Sequence, residues 1–177
     1  MPAPGGGGAS AVTAALAAGL VAMAARFSDA QLPAAGNIAE QADRLRHRVA
    51  ALADEDATAY QAVLDAFALP RGAAGRRERV RDTLHGAATV PLEIAEVAAQ
   101  VGQLAAGVAA DGNPNLRGDA ITAAYLAEAS ARSAAALVDI NVRLGSLPAD
   151  LSQRAARAVA AARIAAARAA NQKAGEQ

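Results

Sequence analysis

The 177-residue chain has no cysteine and no tryptophan, only two tyrosines, two phenylalanines and two histidines, and no excess of either charge. Each absence excludes something. Without cysteine there is no disulfide framework, no thiolate metal site and no cysteine nucleophile. His47 and His85 alone cannot furnish a histidine-based zinc site, and they leave little for a serine–histidine relay. Seventeen Lys and Arg balance seventeen Asp and Glu. A nucleic-acid partner is not expected, because such binders carry a basic excess. Strand signals are also missing, since no run of alternating β-branched or aromatic residues is bounded by turns.

What is present is alanine, roughly a third of the residues against a usual mix led by several residue types. Alanine is the best helix former, and its small side chain lets helix axes approach. The expected fold is all-α, an antiparallel bundle of about five helices in a single domain over residues 1–177. The apolar pattern places helices at about 9–27, 38–67, 76–110, 118–145 and 148–171, with boundaries good to about two to four residues. Gly145 is expected at the left-handed position closing the fourth, and Pro148 at the first position of the fifth. Pro91 should kink or break the third, because it removes a backbone donor. Residues 172–177 are expected to form a frayed tail.

The first helix is apolar all round, which suits a core or a subunit interface. It is short of Leu and Val and has no positive segment before it, so neither a membrane span nor a signal peptide is expected. A single bundle is not expected to cover all of such a helix, and a homodimer is expected to cover the rest.

Chemistry concentrates on the second helix. Leu45, Val49, Leu52, Asp56, Tyr60, Val63 and Phe67 recur every three or four residues and so share one face. Asp56 is the only carboxylate there. At about 100° per residue, Asp54 points the opposite way and Glu55 to the flank. A carboxylate on an apolar face is either a structural ion pair or a functional group with a perturbed pKa. Asp119 opens the fourth helix, where it is a second inward carboxylate or a first-turn acid facing the helix dipole. Gly5, Gly6, Gly7 and Gly8 precede the first helix without the lysine and hydroxyl of a phosphate loop; they form a flexible arm or an anion-accepting helix start. The arginines at 71, 76, 77, 79 and 81 make a solvated helix start or meet a polyanionic ligand tail.

These motifs also occur in a telling order. Pro4-Gly5-Gly6-Gly7 comes first, then Asp54-Glu55-Asp56-Ala57 with Tyr60, then Leu69-Pro70 and Val90-Pro91-Leu92-Glu93-Ile94-Ala95. Gly112-Asn113-Pro114-Asn115 with Asp119 follows. In this order and spacing the chain resembles, over nearly its whole length, the cyclodeaminase/cyclohydrolase family. That family comprises the C-terminal half of formiminotransferase-cyclodeaminase and its stand-alone bacterial relatives. It departs from the family pattern at Gly8, at Gly118 and across Asp139-Ile140-Asn141-Val142-Arg143.

The resemblance implies a cytoplasmic, homodimeric, all-α enzyme acting on a tetrahydrofolate derivative, with no resident cofactor or metal. The reaction is conversion of 5-formimidoyltetrahydrofolate to 5,10-methenyltetrahydrofolate and ammonia, or the methenyltetrahydrofolate cyclohydrolase reaction. It implies Asp56 as the catalytic acid, with Gly5, Gly6, Gly7, Gly8, Asn113, Asn115 and Asp119 lining the folate pocket. Asn113, Asn115 and Asp119 are then expected to approach Asp56. A second reading is a non-catalytic helical dimer, an interaction or scaffold protein derived from the family.

Overall fold

A computed structural model describes residues 5–171. Among them are five α-helices, one 3-10 turn and no strand: α1 (Gly6–Arg26), α2 (Ala35–Ala68), α3 (Arg76–Asp111), the turn Pro114–Leu116, α4 (Arg117–Gly145) and α5 (Asp150–Asn171). The expected tail at 172–177 lies outside the described residues.

The helices alternate in direction. Contacts between Gly7 and Asp56 at one end of α1, and between Arg26 and Asp43 at the other, run α1 and α2 antiparallel. Arg48 reaches Glu93 while Val63 packs with Leu84, so α3 runs antiparallel to α2. Asn141 reaches Ala87 while Gly102 lies beside Ala127, so α4 runs antiparallel to α3. Arg154 reaches Glu96 while Gly102 lies beside Ala165, so α5 runs in the direction of α3. α1 packs on α2, α3 and α4, while α5 covers α3 and α4.

The core is built largely of alanine. Ala11, Ala14, Ala18, Ala22 and Ala25 line the buried side of α1, and Ala98, Ala105, Ala127, Ala131 and Ala162 of the other helices belong to the same buried cluster. α1 has the length and apolarity to cross a membrane, but more than half of that apolar stretch is enclosed by its neighbours. A Cβ at Gly102 would stand 3.6 Å from that of Ala165 and 3.7 Å from that of Ala127, ordinary contact distances. Gly102→Ala is therefore expected to fit, and to stabilise the protein by about 0.5–1 kcal/mol through helix propensity. A rise in the urea midpoint at unchanged slope would show this; a fall would mean the three helices cannot yield at all.

Three details differ from the sequence expectations. First, α3 does not break at Pro91: as the expected range 76–110 required, it is one helix, of 36 residues, with Pro91 inside it and buried. Proline cannot donate to the carbonyl four residues back, that of Ala87. The Asn141 side chain of α4 donates to that oxygen instead, at 2.8 Å. Second, Gly145 is the last residue of α4, and Ser146 takes the left-handed conformation (φ 48°, ψ 45°). A Cβ at Gly145 would lie 2.9 Å from Leu147, so its glycine serves close packing rather than dihedral freedom. Third, α5 begins at Asp150, leaving Pro148 in the link before it.

The candidate active site at the start of α1

Asp56 sits where α1 begins. The four glycines do not form a loop: Gly5 is the N-cap, and Gly6, Gly7 and Gly8 are the first helical turn. Helix starts leave backbone N–H groups without intrahelical partners. The Asp56 carboxylate accepts a hydrogen bond from one of them, the Gly8 N–H. Its oxygens lie 2.0 and 2.4 Å from where a Cβ on Gly7 would be. On the other side of α1, Leu137 of α4 packs over Gly6. Buried Ser10 stands 2.8 Å from the Gly6 carbonyl and 2.9 Å from the Ser133 hydroxyl, and Ser130 donates to the Ser10 carbonyl at 2.8 Å. These three serines join α1 to α4 beside the site. Their signal in the sequence is three hydroxyls set in alanine-rich helices.

The three acids on α2 occupy three environments. Asp54 is exposed and forms no ion pair among the described residues. Glu55 is held by Arg48, which also grips Glu93 of α3 at 2.7 Å. That hydrogen bond keeps the Glu55 carboxyl below its ordinary range. Arg48, itself exposed, is thus a bridge between α2 and α3. Asp56 is half-buried with no ion-pair partner among the described residues. Burial pushes its carboxyl above the ordinary range, and the Gly8 hydrogen bond opposes this without cancelling it.

The expected inward face of α2 holds only in part. Val49 and Leu52 are buried in the main core, and Val63 packs with Leu84 and Ala87 of α3. Tyr60 and Phe67 remain exposed, at 54% and 45%. Among the described residues, α1 starts at Gly6, opposite Asp56, and beyond that point the buried stripe of α2 turns toward α3. Asp56 therefore marks the boundary between the covered and uncovered parts of α2, with the Tyr60 ring one turn further on.

A raised folded-state pKa has a sign that can be measured. The folded state holds the Asp56 proton more tightly than the unfolded chain does. The associated stability is full below the ordinary carboxylate range and is lost as pH rises through the folded pKa. Relative to Asp56→Asn, the wild-type melting temperature is expected to fall steadily from about pH 3 to neutrality, the range spanning ordinary and raised carboxylate values. A constant difference between the two proteins would contradict it. The variant serves as reference because Asp43 and Glu55, both lowered by arginine hydrogen bonds, gain stability over the same range.

Asn113, Asn115 and Asp119 do not approach Asp56 within the chain. The Asn113 N–H donates to Ser28 Oγ at 2.9 Å and its side chain donates to the Phe27 carbonyl at 3.0 Å, both at the far end of α1. Twenty helical residues separate that end from Gly7, about 30 Å at 1.5 Å per residue. There Asn113 also accepts from the Asn115 N–H and so caps the 3-10 turn. Asp119 lies in the first turn of α4. Asn113 pins the α3–α4 link to α1, and the order of motifs along the chain does not translate into convergence within the chain. His47 and His85 are exposed.

Residues 1–157 match the family model described as formiminotransferase-cyclodeaminase. The chain is similar to a methenyltetrahydrofolate cyclohydrolase of Methylorubrum extorquens, 34% identical over 155 residues, covering 80% of this chain and 73% of the relative. Its fold is similar to the crystal structure of formiminotetrahydrofolate cyclodeaminase from Thermotoga maritima. The TM-score is 0.86 at 24% identity, over 97% of this chain and 88% of that one. By the extent of the family match and the identity to a relative, this chain belongs to the formiminotransferase-cyclodeaminase family.

Proposed function

We propose that this protein is a folate-dependent one-carbon enzyme that hydrolyses 5,10-methenyltetrahydrofolate, with Asp56 moving the proton. The observation that carries this reading is the half-buried Asp56 carboxylate, free of ion pairs among the described residues, raised in pKa by burial and seated against the first turn of α1. The 34% identical relative is a cyclohydrolase, and this supports choosing hydrolysis.

In that reaction water adds to the carbon bridging N5 and N10, and the bond from that carbon to N5 breaks. The formyl group stays on N10. One proton of the water ends on N5 and the other is released. A carboxylate with a raised pKa suits both halves of this transfer, since it accepts a proton from the attacking water and then protonates the departing nitrogen. The same acid serves the cyclodeaminase reaction, where N10 attacks the formimidoyl carbon and the nitrogen must be protonated to leave as ammonia. Either step needs a proton carrier and no resident cofactor or metal. The exposed Tyr60 ring offers an apolar face for the substrate beside Asp56, and Gly5 to Gly8 form the edge opposite.

The reading includes a homodimer and a cytoplasmic location. On α1, Val12 and Leu16 stand one turn apart at 50% and 62% exposure, the uncovered apolar strip that a second copy would bury. Light scattering at micromolar concentration tests the assembly, and a monomer mass would refute it. Ultraviolet absorbance of the methenyl group tests the activity. Loss of 5,10-methenyltetrahydrofolate is the expected result. Its formation from 5-formimidoyltetrahydrofolate would assign the deaminase instead. A protein inert toward both would leave the scaffold reading.

A further inference from the structure

The neighbouring glycines at the start of α1 are under different constraints. A Cβ at Gly5 would meet nothing within 4 Å, and one at Gly6 would touch the Leu137 methyls at 3.6 and 3.7 Å. At Gly7 it would fall 2.0, 2.2 and 2.4 Å from Asp56 Oδ1, Cγ and Oδ2. All three of those nearest atoms belong to the carboxylate, which fills the space of the missing side chain. Backbone conformation does not explain the glycine, because Gly7 is helical and positive φ among the described glycines occurs at Gly75 alone. Glycine also weakens a helix relative to alanine. Its presence at position 7 has to be explained by what occupies the vacated volume.

We propose that Gly7 is a positioning residue for Asp56: it has no side chain so that the carboxylate can seat on the first turn of α1. The seat fixes the direction of the acid. Around it, the N–H groups and the positive end of the α1 dipole favour the ionised form, while burial favours the protonated one. Both forms are then accessible to a group that must take up and return a proton. The effect on turnover rests on the function proposed above, whereas the steric coupling between residues 7 and 56 does not.

The test places Gly7→Ala in three backgrounds: wild type, Asp56→Ala, which removes the carboxylate, and Asp56→Gly, which removes the Cβ as well. In wild type, Gly7→Ala is expected to lower the melting temperature. It should also reduce kcat by at least about tenfold, since small misplacements of a reacting group are costly. KM should stay within about threefold, because binding of substrate is not the interaction lost. In the Asp56→Ala and Asp56→Gly backgrounds the melting penalty should vanish or reverse. Gly107→Ala, with open space around it on α3, should act alike in all three. The proposal is overturned if the penalty in both Asp56 backgrounds is at least half that in wild type. It is also overturned if Gly7→Ala leaves kcat of an active wild type intact. Should wild type prove inert toward both folates, the functional reading fails, and the melting cycle still decides the coupling.

Discussion

Asp56→Asn is expected to leave the bundle and folate binding in place while turnover falls by about 10²–10⁴-fold, the usual contribution of a positioned acid or base. The amide is nearly isosteric and its oxygen can still accept the Gly8 N–H, so the seat on α1 survives. What is lost is the exchangeable proton. Asp54→Asn and Glu55→Gln are the controls, each expected within about twofold of wild type, because removing an exposed charge or a surface ion pair changes little. Asp54 is solvated, and Glu55 is committed to Arg48. The three variants thus separate neighbouring acids that differ only in where the helix points them. Equal losses at 54 and 56, or a fully active Asp56→Asn, would show that the wrong carboxylate had been chosen.

The largest effect on stability is expected from Leu52→Ala. Leu52 is fully buried and lies one turn below Asp56 on the same face of α2. In a core made mostly of alanine, few side chains supply volume: Leu52, Leu84, Leu92 and Ile94 are the largest fully buried ones. Their neighbours are already minimal and cannot rearrange to fill a void. The loss should therefore fall within the upper half of the usual range of about 2–5 kcal/mol. Chemical denaturation measures it, and a loss below about 1 kcal/mol would mean that α1 and α2 close over the gap. The same cavity lies under the acid, so kcat should drop beyond what the unfolded fraction explains.

The all-α class and all five helices were legible because alanine-rich periodicity is a local signal, and neither strand patterning nor cysteine competes with it. The half-buried placement of Asp56 was legible for the same reason, as one polar residue in an apolar stripe. Tyr60 and Phe67 were misplaced, since beyond Asp56 the buried stripe of α2 turns toward α3. The convergence expected of Asn113, Asn115 and Asp119 does not occur within one chain, because the length of α1 separates their end of the bundle from Asp56. The role of Arg48 was hidden because its partner Glu93 lies 45 residues away. Seating of the carboxylate on Gly7 depends on how two helices meet, which no spacing within either one encodes.

The Asn141 hydrogen bond to Ala87 bears on how the chain assembles. An isolated α3 has a gap in its ladder at Pro91, so its two halves are independent helical segments until something bridges them. The bridge comes from α4, 54 residues further along. The continuity of α3 is thus a tertiary property, acquired only when the last turns of α4 dock. Amide hydrogens on both sides of Pro91 should accordingly open together with the end of α4, as one cooperative unit, rather than fraying from the α3 terminus. A proline in the middle of a long helix, usually a point of weakness, here makes the order of one helix conditional on its neighbour.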